Sequence, residues 1–126
     1  MRDFKILLCD DSLLVRKKMS DALSAEGFTE LYEAADGEEA VAVCKSVKPD
    51  LVLMDIVMPK KDGLEALDEI KKSNSSIHVV MVSSIGTQGK LMQAIKLGAD
   101  NFLQKPVTVD AIIAIIDKIR SGGGEG

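Results

Sequence analysis

The chain is poor in the residues that mark metal-cluster, membrane and nucleic-acid proteins. Its 126 residues include one histidine, two cysteines and three prolines. With no second histidine, His78 has no partner for a histidine metal pair, and its place beside a strand-like run marks it as structural. Cys9 and Cys44 lie in apolar surroundings, with neither a CxxC pattern nor metal-ligand spacing, so both read as buried reduced thiols of a cytoplasmic protein. No apolar run reaches the length of a membrane span, and the run behind Met1-Arg2-Asp3-Phe4-Lys5 is too short for a signal peptide. A formal net charge of -4 and a pI near 5.0 oppose a nucleic-acid surface. Arg16-Lys17-Lys18 reads as one exposed helix turn.

Hydrophobic residues make up 46% of the chain and charged residues 29%, the balance of one soluble domain able to close its own core. Lys5-Ile6-Leu7-Leu8-Cys9, Leu51-Val52-Leu53-Met54, Val79-Val80-Met81-Val82 and Phe102-Leu103 are short apolar runs that read as buried parallel strands. Leu31-Tyr32-Glu33-Ala34 reads as a weaker edge strand. Between them lie amphipathic helical patterns: Leu14, Met19, Ala22 and Leu23; Ala40, Val41, Val43 and Cys44; Leu64, Leu67 and Ile70; Leu91, Met92 and Ile95; and Val109, Ile112, Ile113, Ile116 and Ile119. The first four stop at helix-ending signals, Gly27, Pro49, Ser73 and Gly98. Five alternations of strand and helix predict an α/β fold, a doubly wound five-stranded parallel sheet with five helices on its two faces. Residues 1–120 form the expected domain and 121–126 a flexible Gly-rich tail, either a natural end or the start of a linker.

Asp10 and Asp11, Asp55, Ser83 and Lys105 each follow the end of a different predicted strand, the edge where open α/β sheets bind ligands. Three carboxylates meeting there raise one another's proton affinity unless a cation joins them. Carboxylate and carbonyl oxygens suit Mg²⁺. An aspartate beside such an ion can attack phosphorus, with a hydroxyl at Ser83 and the Lys105 ammonium receiving the phosphoryl oxygens. Singly the motifs have plainer readings: the Asp10-Asp11 pair as a helix cap with a first-turn acid, Asp55 with Met58-Pro59 as a loop exit, Ser83-Ser84 as a strand terminus, Lys105-Pro106 as a loop. Their joint occurrence is the signal.

From Lys5 to about Arg120 these residues resemble CheY-like receiver domains of two-component signalling, through Cys9-Asp10-Asp11-Ser12, Asp55 with Met58-Pro59 and Asp62-Gly63, Ser83-Ser84, and Phe102-Leu103-Gln104-Lys105-Pro106. The resemblance implies a flavodoxin-like strand order, 2-1-3-4-5. It also implies that Asp55 accepts the phosphoryl group, that Asp11, Asp55 and the Val57 carbonyl bind Mg²⁺ with help from Asp10, and that Ser83 and Lys105 hold phosphoryl oxygens. Ser83 and Phe102 would form the switch. The donor would be a histidine kinase, and an output protein would bind the face made by the fourth helix, fifth strand and fifth helix. The chain would catalyse only its own phosphorylation and dephosphorylation, as a monomer or weak phosphorylation-dependent dimer, without touching DNA or a membrane. Val57 and Ile85 stand where fast-hydrolysing members carry polar residues, which predicts slow loss of the phosphoryl group. Phe102 replaces the commoner tyrosine.

Other classes fit less well. A phosphohydrolase with an aspartate nucleophile wants an acid where Val57 stands, and a flavin site wants a Ser/Thr/Gly-rich cradle where Asp10-Asp11 repels phosphate. Ser83-Ser84-Ile85-Gly86-Thr87-Gln88 with Ala94-Ile95-Lys96-Leu97-Gly98-Ala99 is similar to motor-directed CheY proteins, which points to a standalone chemotaxis-type regulator. A receiver cut from a larger regulator, or a binding module that works without phosphorylation, remains the alternative.

Overall fold

A computed structural model describes residues 2–84 and 86–121. Five strands and five helices alternate: β1 (Arg2–Cys9), α1 (Leu13–Ala25), β2 (Phe28–Ala34), α2 (Gly37–Val47), β3 (Leu51–Asp55), α3 (Gly63–Ser73), β4 (His78–Ser83), α4 (Leu91–Lys96), β5 (Asn101–Gln104) and α5 (Val109–Arg120). All strand pairs are parallel, in the order β2-β1-β3-β4-β5. The predicted class, order and edge position of the second strand hold. Ile85 and residues 122–126, and with them most of the predicted tail, lie outside the described residues.

Side-chain alternation divides each central strand between two cores. Leu7 and Cys9, Val52 and Met54, and Val79 and Met81 face a core with Val41, Cys44, Leu64, Leu67, Ile70 and Ala94 of α2, α3 and α4. Ile6 and Leu8, Leu51 and Leu53, and Val80 and Val82 face the other, closed by Leu23 of α1 and Ile112 and Ile116 of α5. Both faces are therefore covered, which is why the strands read as unbroken apolar runs. The isoleucines of α5 belong to this core, as expected of a core-facing helix.

Local chemistry sets the helix starts. Ser12, Asp36, Asp62 and Thr108 each accept a hydrogen bond from the backbone N–H three residues on, and Asp62 with Glu65 completes a capping box. Gly27 and Gly98, with φ of 98° and 102°, end α1 and α4 in the left-handed region.

Three expectations change. The fourth helix contains the expected Leu91, Met92 and Ile95 and stops before Gly98, but it is only six residues long and follows a 3-10 turn (Gln88–Lys90), with no side-chain cap at Lys90. Met92 and Ile95 are 67% and 51% exposed, and Ala94 is the residue that the helix buries. Leu14 is likewise exposed, since the inward side of α1 is taken by Met19 and Leu23. Arg16 is not part of an exposed basic turn: it folds back onto the end of β1.

Candidate active site

β1, β3 and β5 deliver the site residues to one edge of the sheet. Asp10 follows β1, Asp55 ends β3, and Lys105 follows β5. Asp10, Asp11 and Asp55 each place a carboxylate oxygen within 4.8 Å of the others, with Asp10 and Asp55 buried and Asp11 exposed. The Lys105 Nζ donates to Asp10 Oδ2 at 2.8 Å and to Asp55 Oδ2 at 3.0 Å. One ammonium thus bridges two of three clustered carboxylates. The helix cap is Ser12, so neither aspartate of the pair caps α1.

Asp55 pairs with Val82 in the sheet, which puts Ser83 one residue further along the neighbouring strand, buried. The Lys105 N–H donates to the Ser83 carbonyl at 2.8 Å and ties the two phosphoryl-binding candidates together. Phe102 lies half-buried against the core that holds Leu67 and Met81. Val57, two residues beyond Asp55, is 56% exposed, and its backbone is the smallest of the influences that favour the ionised Asp55. Gly63 begins α3 with its N–H donating to the Ile56 carbonyl at 2.8 Å, so the helix start touches the strand end that carries Asp55.

Burial lifts the Asp55 carboxyl above its ordinary range, partly offset by its hydrogen bond with Lys105, while Asp10 pushes the same way as burial. Burial works to lower the Lys105 ammonium, but its hydrogen bonds to Asp10 and Asp55 outweigh that and hold it above the usual lysine value. A carboxyl raised in the folded chain contributes stability below its unfolded value and loses it as pH rises through the raised one. Asp55→Asn is therefore expected to melt at a higher temperature than wild type in EDTA at neutral pH, with the gap closing as pH falls below the carboxylate range. Equal melting temperatures across that series would show that ionised Asp55 costs the fold nothing.

The donors suit a hard cation. All three are carboxylate oxygens, one lysine leaves their charge uncompensated, and among the described residues no thiol or imidazole joins the cluster. The cysteines stand apart from this chemistry as buried free thiols: burial pushes Cys9 well up and Cys44 up to about 12.

Arg16 was not among the predicted site residues, and Gly63 and Thr87 stand in motifs quoted above with no role assigned to them. Thr87 Oγ1 accepts from the Ser84 N–H and donates to the Ser84 carbonyl, both at 2.9 Å, pinning the loop after β4. A signal for Arg16 existed: helical side chains lean toward the N-terminus, so a long one four residues after the cap covers the preceding loop.

Residues 6–117 match the response regulator receiver domain family. The chemotaxis protein CheY of Halobacterium salinarum is 43% identical over 116 residues, spanning 89% of this chain and 96% of that protein. NtrX from Brucella abortus superposes with a TM-score of 0.83 at 35% identity, over 93% of this chain and 26% of that one. CheY in the CheX–CheY–BeF3–Mg²⁺ complex from Borrelia burgdorferi superposes with a TM-score of 0.83 at 32% identity, over 92% of this chain and 88% of that one. With fold and sequence in agreement over nearly its whole length, the chain belongs to the response regulator receiver domain family.

Proposed function

We propose that Asp55 accepts a phosphoryl group from a histidine kinase in a Mg²⁺-dependent reaction, and that the chain acts in the cytoplasm as a chemotaxis-type regulator. The observation that carries this is the Lys105 ammonium bridging Asp10 and Asp55 at the sheet edge, with Asp11 beside them. The ion would be held by Asp10, Asp11, Asp55 and the Val57 carbonyl. Bound there, Mg²⁺ supplies positive charge to the phosphoryl oxygens during transfer.

An Asp55 carboxylate oxygen forms the new bond to phosphorus while the bond from phosphorus to the donor nitrogen breaks, and that electron pair stays on the donor imidazole. Lys105 shifts its hydrogen bonds from Asp55 to a phosphoryl oxygen, and the Ser83 hydroxyl donates to another. Phe102, half-buried beside the helix α4 region, repacks in response and alters the face made by α4, β5 and α5. Exposed Met92 and Ile95 support that face as the one an output protein covers. The likeness to CheY supports the chemotaxis role, and the chain would act as a monomer or weak phosphorylation-dependent dimer.

Incubation with acetyl phosphate and a phosphate-affinity gel test the reading: a shifted band appears with Mg²⁺ and is absent in Asp55→Asn. In the same assay, after the donor is removed, Val57→Asn is expected to shorten the lifetime several-fold, because a polar side chain at the exposed mouth can orient the attacking water. A lifetime no shorter than that of wild type rules out Val57 as the brake.

A further inference from the structure

Arg16, in the first turns of α1, has a side chain only 12% exposed. Its Nη1 donates to the Asp10 carbonyl at 2.6 Å, and its Nε donates to Glu33 Oε1 on the edge strand β2 at 2.8 Å. The Asp10 carbonyl belongs to the peptide that joins Asp10 to Asp11. From the other side, the Asp10 N–H donates to the Ala34 carbonyl at 3.1 Å, and Asp10 Oδ1 accepts from the Ser12 N–H at 2.9 Å. Among the described residues no hydrogen bond or ion pair holds the Asp11 carboxylate, so the backbone that carries it sets its direction.

Resting on the receiver reading above, we infer that Arg16, braced by Glu33, is a positioning residue for the Mg²⁺ site. It fixes the Asp10–Asp11 peptide so that both carboxylates meet Asp55. The guanidinium suits the task because its planar fork serves two acceptors in fixed directions, which a lysine ammonium at the end of a flexible stem does not. Outer partners that orient metal ligands in this way are each worth about 10- to 100-fold in metal affinity.

The sign of the effect separates positioning from charge. Arg16 places a positive charge beside a cation site, so on Coulomb grounds its removal would tighten Mg²⁺ binding. If Arg16 positions the ligands, its removal weakens binding.

The test titrates Mg²⁺ calorimetrically into the full chain, wild type against Arg16→Ala and Arg16→Lys, with melting in EDTA as a check on folding. Phosphoryl uptake from acetyl phosphate is followed over the same Mg²⁺ range. Arg16→Ala is expected to bind Mg²⁺ about tenfold more weakly, and Arg16→Lys, which keeps the charge and the stem, to be weakened as well. Uptake should recover at saturating Mg²⁺, so the apparent Mg²⁺ constant rises while the maximal rate holds. Unchanged or tighter Mg²⁺ binding by Arg16→Ala overturns the inference, and so does wild-type affinity in Arg16→Lys. A wild-type chain that binds no Mg²⁺ overturns the receiver reading itself, a separate failure from normal wild-type binding with an indifferent Arg16.

Discussion

Replacing Lys105 with methionine is expected to slow phosphoryl uptake about a hundredfold, the usual cost of losing one donor to a developing oxyanion. The metal-free protein should lose about 1–3 kcal/mol at neutral pH, because two buried carboxylates lose a shared partner. Asp10 and Asp55 sit at 2.8 and 3.0 Å from the ammonium, and methionine keeps the bulk of the stem while removing both hydrogen bonds. Lys105 is held above its ordinary value, so its contribution is complete below the usual lysine range and fades only as pH climbs through the raised one. At the acid end the deficit shrinks as the carboxylates take up protons. Saturating Mg²⁺ should stabilise Lys105→Met more than wild type, since a cation replaces the charge that was removed. Urea unfolding with and without Mg²⁺ measures this, and a variant with the wild-type midpoint in EDTA contradicts it.

Gly63→Val is expected to cost about 3 kcal/mol, at the upper end of what overpacking does, and to lower the melting temperature by about 10 °C. A side chain at Gly63 would begin on top of the Asp55 carbonyl oxygen and 2.9 Å from the Ile56 Cα, and both neighbours are backbone. Relief would require α3 to lift away from the end of β3 or the Asp55 peptide to turn. Either movement also displaces the phosphoryl acceptor, so uptake should fall further than the loss of folded protein explains. Gly89 is the control, because a Cβ there meets nothing within 4 Å and Gly89→Ala should melt close to wild type. Thermal melting of the two variants decides the matter; equal, small shifts would show that the α3 start has room to move.

The architecture was legible because burial on both faces leaves plain marks. Unbroken apolar runs such as Leu51-Val52-Leu53-Met54 cannot serve a half-exposed strand, and Gly27 and Gly98 stand where helices end. The acidic cluster was legible because strand ends converge on one edge. Periodicity failed at α4: Leu91, Met92 and Ile95 satisfy a helical pattern, yet only Leu91 packs on the core, and exposed apolar side chains carry the same signature in sequence as buried ones. Arg16 was misread because its basic neighbours Lys17 and Lys18 are indeed exposed, whereas its own partners, the Asp10 carbonyl and Glu33, lie six and seventeen residues away in sequence. The N-terminal lean of a helical side chain marks the direction Arg16 takes, but Glu33 as its partner depends on tertiary placement, which local pattern does not encode.

Reductive trapping shows which residue takes the phosphoryl group. After incubation with acetyl phosphate and Mg²⁺, borohydride reduces an aspartyl phosphate to homoserine, and mass analysis of the peptides locates the change. Homoserine is expected at position 55 alone, dependent on Mg²⁺ and on phosphoryl donor. Conversion at another carboxylate, or none at position 55 in a folded chain that binds Mg²⁺, would contradict Asp55 as the acceptor.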